Sequence, residues 1–415
     1  MIRLVSIAVV SILCTVAAVA QEPRMVTDDT LMSRQFTEDF DVLWQFVRES
    51  YAYADKRKID WERVREIYRP RAASAPGKRE LLGVFEDVIG ELYDHHAHLG
   101  ANTATSPRLV PSGADLWAEW SRRGAMITEV RTSSDAERAG LRSGMEIISV
   151  DGRPVADAVA ERLPKALTEP DPVASDWALR VVLAGRHNAS VRVEVATGSG
   201  RQTFEFTPGV SEQFDAPLSF RRLEGEIGYV RINNALGDGA TVAAFDSALA
   251  GLGAARGIVL DLRDTPGGGT STVARGIMSR FITSERPYQK HELVEEERAY
   301  GVRRTWVEYV SPRGLPCGVP LVVLVGRWTG SMGEGVAIGL DGIGRGRVVG
   351  TRMAGLLGAI SERTLPNSGI VVRIPTEKLY HIDGTPREEF VPETVVPPEP
   401  GSDRALEAAL RILRK

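Results

Sequence analysis

Ser331 stands where a hydroxyl group can do covalent chemistry. It follows the apolar strand sequence PLVVLV at 320–325 and opens the segment SMGEGVAIGL, which predicts a helix. Unpaired backbone N–H groups gather at the start of a helix and stabilise developing negative charge. The same segment contains S-x-x-E, a capping box in which the serine hydroxyl only satisfies a backbone amide. This motif alone leaves both a nucleophile and a helix cap open.

Three consecutive glycines at 267–269 follow a second apolar strand sequence, GIVLDL at 257–262. Open α/β sheets bind ligands at the carboxyl ends of their strands, and glycines let the backbone approach a ligand closely. A loose connection between a strand and a helix explains the run equally well. If the two turns meet, the N–H groups of Gly268 and Met332 form an oxyanion hole for one carbonyl oxygen.

The segment LYDHHAHL at 92–99 places three of the six histidines within four positions. A zinc site is one interpretation, but on a helix only His95 and His98 would share a face. No HExxH or CxxC motif supplies further ligands. We therefore predict no metal and no cofactor. A core or surface position explains any one of these histidines equally well, and the more specific interpretation is a base for a serine.

Four histidines are candidates for that base: His96, His95, His98 and the isolated His381. A neutral imidazole, with an ordinary pKa of about 6.5, can remove a serine proton at neutral pH. His187 and His291 have polar neighbours and no nearby motif, so we interpret them as surface residues.

Three patterns of apolar residues divide the chain into the regions that must position these side chains. Apolar residues repeat with a helical period over 30–100, whereas 110–208 shows alternating apolar residues and turn sequences typical of strands. After Pro208, strands alternate with helices, which indicates an α/β core with buried strands.

The first 20 residues contain one arginine, a long uncharged apolar stretch and Ala-Val-Ala before Gln21. This pattern predicts a secretory signal peptide cleaved near Ala20; the alternative is a membrane anchor. Cys14 lies within the segment, so only Cys317 remains afterwards and no intrachain disulfide can form. The formal net charge of −4 supplies no excess positive charge for a nucleic-acid partner.

Four motifs in this order resemble the carboxy-terminal processing (tail-specific) peptidases and the tricorn-type serine peptidases. They are D-x-H-x-x-L from Asp94, the PDZ-like run 124–155, DLRDTPGG at 261–268 and T-x-S-x-x-E from Thr329. The resemblance implies an α/β fold with a crotonase-like (ClpP/crotonase) catalytic core, an inserted PDZ-like β module and an N-terminal helical domain. The implied divisions are a signal peptide at 1–20, a helical domain carrying the base at 21–109, a PDZ-like domain at 110–208 and the peptidase core at 209–415.

The resemblance also implies roles for individual residues. Ser331 becomes the nucleophile, with Gly268 and Met332 as oxyanion donors. The processing branch uses a lysine some two dozen residues after the serine, but 350–360 contains none. The chain therefore resembles the tricorn branch, in which His96 is the base.

A late glutamate orients the base in that branch, and both Glu388 and Glu389 fit the segment REEFVPE. If the segment is extended, the two side chains point to opposite faces. Glu388 then shares a face with Phe390 and points inward, so we prefer Glu388 over Glu389.

The implied function is a secreted or periplasmic serine endopeptidase that acts on proteins or peptides through an acyl-enzyme, with no membrane span after signal cleavage. The PDZ-like module would bind substrate C-termini by strand addition at Gly124, Ala125 and Met126, or act as a spacer or lid. The alternatives are a non-catalytic protein that binds a peptide or an apolar ligand on the same fold, and a crotonase-type acyl enzyme.

Overall fold

A computed structural model describes residues 28–198, 200–209, 214–399 and 401–414. The predicted signal peptide, including Cys14 and the cleavage site near Ala20, lies outside the described residues. No helix in the described ranges combines the length and apolar character that crossing a membrane requires.

The amino-terminal region is helical, as the period of its apolar residues predicts. Its helices are α1 (Asp28–Ser50), α2 (Trp61–Ala73) and α3 (Lys78–Gly90). Apolar residues of all three form one buried cluster, which includes Phe40, Leu43, Tyr68 and Phe85. Helix α3 ends before the histidine segment, which is a turn followed by the short strand β1 (His98–Leu99). The histidines therefore do not share a helix face.

A mostly β region follows. It contains β2 (Leu116–Ser121), β3 (Gly124–Val130), α4 (Asp135–Ala139), β4 (Glu146–Val150), β5 (Arg153–Pro154), α5 (Val155–Ala160), α6 (Pro172–Ala184), β6 (Val191–Thr197) and β7 (Gly200–Phe206). The antiparallel sheet has the order β2-β3-β4-β6-β7, and α6 packs against β2. The alternating residues Val191, Val193 and Val195 are buried, as their spacing predicts.

The carboxy-terminal half is an α/β core. Its elements are β8 (Leu218–Leu223), β9 (Ile227–Ile232), α7 (Ala240–Leu252), β10 (Gly257–Asp261), α8 (Ser271–Met278), β13 (Leu321–Val325), α10 (Met332–Gly342), β14 (Gly346–Gly350), β17 (Thr394–Val395) and α11 (Arg404–Leu413). The sheet order is β17-β14-β13-β10-β9-β8, parallel except for the β8–β9 pair. Every residue of β10 and β13 is buried, so the turns after both strands have a rigid base.

A third sheet joins the helical region to this core. It contains β11 (Arg286–Leu293), β12 (Arg304–Val310), β15 (Ala359–Thr364) and β16 (Val371–Tyr380), with α9 (Val294–Tyr300) between the first two strands. Strand β1 pairs with β16, with His98 opposite Arg373. This pairing places the histidine segment beside the core, although the two paired residues are more than 270 positions apart in the sequence.

Candidate active site

Ser331 lies at the turn between β13 and α10. Its φ of +50° is rare for a residue that carries a side chain and marks a strained position. Glu334 accepts a hydrogen bond from the Ser331 amide at 2.8 Å, so the capping box of the sequence forms. The strained backbone is more than a cap requires, because a serine caps a helix in ordinary extended conformation.

Gly268 lies directly against Ser331. A Cβ atom built on Gly268 would stand 2.4 Å from Ser331 Cβ, 2.9 Å from Ser331 Oγ and 3.2 Å from the Met332 nitrogen. The φ of Gly268 is +64°, which also favours glycine. The two turns predicted to meet therefore do meet, with the hydroxyl and the Met332 amide around one point.

The two amide groups differ in their present partners. Met332 is the first residue of α10, so its N–H has no acceptor within the helix. The Gly268 N–H donates to the Thr265 carbonyl at 3.2 Å. Gly268 can therefore serve an oxyanion only by sharing or releasing that hydrogen bond.

Glu334 and Arg387 form a buried layer behind the serine. The Glu334 carboxylate accepts from the amides of Ser331 and Gly355, each at 2.8 Å, and Arg387 Nη2 lies 3.8 Å from it. Burial raises the pKa of Glu334 to about 7, against the opposing effect of the Arg387 charge. Arg387 Nη2 also donates to the carbonyls of Leu356 and Gly358, both at 2.8 Å. The layer thus fixes the loop at 355–358 beside Ser331.

His96 contacts the same loop. Its Nδ1 lies 2.6 Å from the Leu357 carbonyl oxygen, which can only accept, so Nδ1 carries the proton and Nε2 keeps its lone pair. Burial and the nearby Arg387 charge lower the pKa of His96 to about 3. The imidazole is therefore neutral at pH 7, as a base must be. No hydrogen bond joins it to Ser331 among the described residues.

Asp94 holds the backbone of His96 in place. Its Oδ1 accepts from the His96 amide at 2.8 Å, and its Oδ2 accepts from the Tyr51 hydroxyl at 2.9 Å. Both oxygens are engaged in this way, so the aspartate of D-x-H shapes the turn that carries His96.

Glu388 and Glu389 lie in a 3-10 turn (Arg387–Glu389), not in the extended segment on which we based our preference between them. Both carboxylates contact Lys56 Nζ, at 2.9 and 3.0 Å. The Glu388 side chain is 9% exposed and that of Glu389 is 59% exposed. Glu388 Oε2 is the one buried carboxylate oxygen without a hydrogen-bond partner in the described part of the chain.

The remaining histidines occupy varied places. His95 is half-buried against Trp177 and Trp117, and Nδ1 of His98 contacts the His96 carbonyl at 2.9 Å. His381 pairs with Asp341 and Asp383, and His187 is half-buried.

The interpretation of His291 as a surface residue is wrong. It is 7% exposed, stacks on Trp306 and pairs with Glu377 at 2.9 Å, because the neighbouring strands β12 and β16 cover it. Across the described ranges, no three His, Cys, Asp or Glu side chains lie close enough to hold a metal ion.

The candidate peptide-binding residues lie in β3. Gly124 pairs with Ser121 of β2, while Ala125 and Met126 pair with β2 on one side and with β4 on the other. A strand paired on both sides cannot accept a further strand. The outer edge of β2 is also occupied, since Asp176 accepts from the Trp120 amide at 2.8 Å and Arg180 donates to the Ala118 carbonyl at 3.2 Å.

Comparison with known families adds an independent observation. Residues 226–396 match the model of peptidase family S41, and residues 32–90 match that of the tricorn protease C1 domain. The chain carries a peptidase family S41 domain. Ser331, Gly268, Glu334 and Arg387 all lie within the matched S41 range.

Two curated relatives extend the match beyond the S41 domain. Tricorn protease homolog 1 of Streptomyces coelicolor is 24% identical over 410 residues, which cover 91% of this chain. The match covers only 35% of that relative, so the chain spans about a third of its length. The carboxyl-terminal-processing protease of Picosynechococcus sp. is 26% identical over 383 residues, covering 88% of this chain and 85% of the relative.

Solved structures show the same fold around the S41 domain. The photosystem II D1 C-terminal processing protease has a TM-score of 0.57 at 20% identity. Mature CPAF complexed with lactacystin has a TM-score of 0.58 at 16% identity. Each match covers 92% of this chain and 97% of the other.

Sequence reasoning missed two residues of this candidate site. Arg387 stands beside the two candidate glutamates but was not considered, and Lys56 lies more than 300 residues before its partners. A buried arginine that binds backbone carbonyls has no sequence signature. The only sequence signal for Arg387 was the run of three charged residues at 387–389.

Proposed function

We propose that the protein is a secreted or periplasmic serine endopeptidase with Ser331 as nucleophile, His96 as base and Glu388 as the carboxylate that stabilises the charged imidazole. The observation that carries the proposal is the convergence of Ser331 Oγ and the Met332 nitrogen within about 3 Å of the space left by Gly268. A hydroxyl beside a free helix amide matches the needs of acyl transfer.

In the proposed reaction, Ser331 Oγ attacks the peptide carbonyl while His96 Nε2 takes the hydroxyl proton. The Met332 N–H, joined by that of Gly268, stabilises the oxyanion. His96 then gives its proton to the leaving amine, and the carbon–nitrogen bond breaks to leave an acyl-enzyme. His96 next deprotonates a water molecule, which attacks the acyl carbon. The ester bond to Ser331 Oγ breaks as His96 returns the proton to Oγ, which releases the second product and restores the serine.

Glu388 is preferred over Glu389 on burial and hydrogen bonding. A base with a pKa of about 3 is weak unless a carboxylate stabilises its protonated form. The oxygens of Asp94 and Glu334 already have partners, whereas Glu388 Oε2 is buried without one. Turnover therefore requires the imidazole to exchange the Leu357 carbonyl for Glu388.

The finer architecture belongs to the same proposal. It comprises a helical domain at 21–109, a PDZ-like domain at 110–208 and a crotonase-like core at 209–415, after a signal peptide at 1–20. The β region fits a PDZ-like module by its six-stranded antiparallel sheet and its helix α6 beside β2. Because its strand edge is occupied, we assign it a spacer or lid role, and peptide capture there would require α6 to move.

The test is hydrolysis of an unfolded protein substrate by Ser331→Ala, with the exposed Ser247→Ala as matched control. We expect the first variant to lose several orders of magnitude in kcat, since little catalysis over water survives loss of a triad member. The control should match the wild type. Full activity in a folded Ser331→Ala variant, or loss of activity in EDTA that zinc restores, would refute the proposal.

A further inference from the structure

A cavity of about 360 Å³ lies between α3, the segment 94–110 and α6, on the boundary of the helical and β regions. Its volume falls within the range of small-molecule sites. Neither Ser331 nor Gly268 lines it, whereas Asp94 and His95 do. The cavity is thus separate from the serine but borders the segment that carries His96.

Two guanidinium groups of this cavity have no partner. Arg162 and Arg186 both line it, and neither side chain makes a hydrogen bond or an ion pair to any described residue. Most arginines around them are used: Arg108 donates to the carbonyls of Ala184 and Ala189, and Arg71 pairs with Asp87. Burial lowers the pKa of Arg162, and the charge of Arg186 lowers it further. Arg162 is half-buried and Arg186 is exposed, and an anion in the cavity would be attracted to both charges.

Another part of the cavity lining is aromatic and apolar. His95 stacks on Trp177 at 6.2 Å between ring centres, and Val181 of α6 lies beside them. His95 Nε2 is buried and has no hydrogen-bond partner. Because burial lowers the pKa of His95 well below its ordinary value, this ring is neutral and can donate or accept one hydrogen bond.

Glu86 is the acidic group that faces the two arginines. Its carboxylate accepts from the Ser106 hydroxyl and does not reach either guanidinium. Burial raises the pKa of Glu86, against the opposing effect of the Ser106 hydrogen bond. The other acidic side chains nearby are already engaged, since Glu91 accepts from Tyr68 and two backbone amides.

We propose that this cavity binds a carboxylate on an apolar body, with Arg162 and Arg186 on the carboxylate and Trp177 and His95 against the apolar part. The free carboxyl terminus of a peptide has this chemistry, and so does a small free carboxylate. Only the identity of the ligand as a peptide end rests on the proposed peptidase function.

The test is calorimetric titration of the full-length Ser331→Ala variant with N-acetyl-Ala-Ala-Leu, as the free acid and as the carboxamide. Succinate is titrated in parallel. The binding variants are Arg162→Gln, Arg186→Gln and Glu86→Gln, and the matched control is Arg192→Gln, an exposed arginine of β6 outside the cavity. Mass spectrometry of the peptide after titration reports any hydrolysis separately from binding, so failure of the nucleophile assignment is seen independently.

We expect saturable binding of the free acid and at least 10-fold weaker binding of the carboxamide and of both arginine variants, because charged hydrogen bonds are lost. Glu86→Gln should bind more tightly, since a repelling charge is removed, and Arg192→Gln should match the parent. Tighter binding of the peptide than of succinate supports a peptide end, and the reverse supports a small carboxylate. No saturable binding of either acid, or arginine variants equal to the parent, would overturn the proposal.

Discussion

The two halves of the candidate site are built in different ways. The serine half consists of two turns that follow adjacent buried strands, β10 and β13, so Ser331 and Gly268 are placed by the parallel sheet itself. The histidine half is assembled from three distant segments around His96, Arg387 and Lys56. The His96 imidazole donates to the Leu357 carbonyl, while the Glu388 carboxylate is paired with Lys56.

The serine half is therefore the rigid part of the site, and the histidine half is the part that adjusts in the proposed reaction. A packed core holds the serine half near the geometry of acyl transfer, whereas the histidine half keeps a neutral imidazole without a carboxylate partner. In the proposed mechanism, the serine half supplies electrostatic stabilisation in advance, and the histidine half exchanges hydrogen bonds during turnover.

His96→Ala should give the largest effect in the histidine half. Loss of the base leaves the serine hydroxyl without a proton acceptor, and we expect kcat to fall about 10⁴-fold or more. The measurement is steady-state hydrolysis at pH 7, with His187→Ala as the control histidine outside the site. Activity within 10-fold of the wild type would remove His96 from the reaction.

Gly268→Ala tests the serine half. The added Cβ would stand 2.4 Å from Ser331 Cβ at a backbone angle that alanine resists. Alanine keeps the backbone N–H, but its Cβ would displace Gly268 or Ser331, and because loss of one oxyanion donor costs about 10²- to 10³-fold in kcat, we expect a loss in this range. Gly239→Ala is the control, because its φ is −59° and no atom lies within 4 Å of the new Cβ. Equal kinetics for both variants would contradict the predicted geometry.

Glu388→Gln should reduce kcat by about 10²-fold, short of the ~10⁴-fold loss that a wrong histidine tautomer causes, because Leu357 already fixes the tautomer. Glu389→Gln should stay within a few-fold of the wild type, since its side chain is mostly exposed and shares the same lysine. A larger loss in Glu389→Gln would transfer the role to that residue.

Arg387→Met tests the electrostatic effect on the base, and we expect the acid limb of kcat/KM to shift to higher pH by about 1 unit. The Arg387 charge lowers the pKa of His96, so its removal makes the imidazole protonate at a higher pH. Arg387→Lys keeps the charge and should leave the limb in place. An unshifted limb in a folded Arg387→Met variant, checked by thermal unfolding, would show that Arg387 does not act on the base.

The sequence was sufficient to predict the serine half, because that half depends on local patterns. Apolar strands followed by PGGG and by S-x-x-E place Gly268 and Ser331 at sheet-edge turns, and parallel pairing brings the turns together. The helical, β and α/β regions were likewise readable from the spacing of apolar residues.

The histidine half was less predictable, because it depends on tertiary contacts. The low pKa of His96 results from burial and from the Arg387 charge, and a sequence pattern reveals neither. The sequence therefore predicts only the ordinary histidine pKa near 6.5. The two glutamates were separated on the assumption of an extended segment, whereas the chain forms a 3-10 turn there. The pairing of Ala125 and Met126 on both sides was also invisible before the sheet order was known.

Labelling with a fluorophosphonate, followed by mass mapping of the modified peptide, tests the central claim most directly. The probe reacts only with a serine that is activated and placed beside oxyanion donors. The account predicts one phosphonylated residue, Ser331, with labelling absent in Ser331→Ala and slowed in both His96→Ala and Gly268→Ala. Labelling of another residue, or no labelling of an enzyme preparation that hydrolyses peptides, would contradict it.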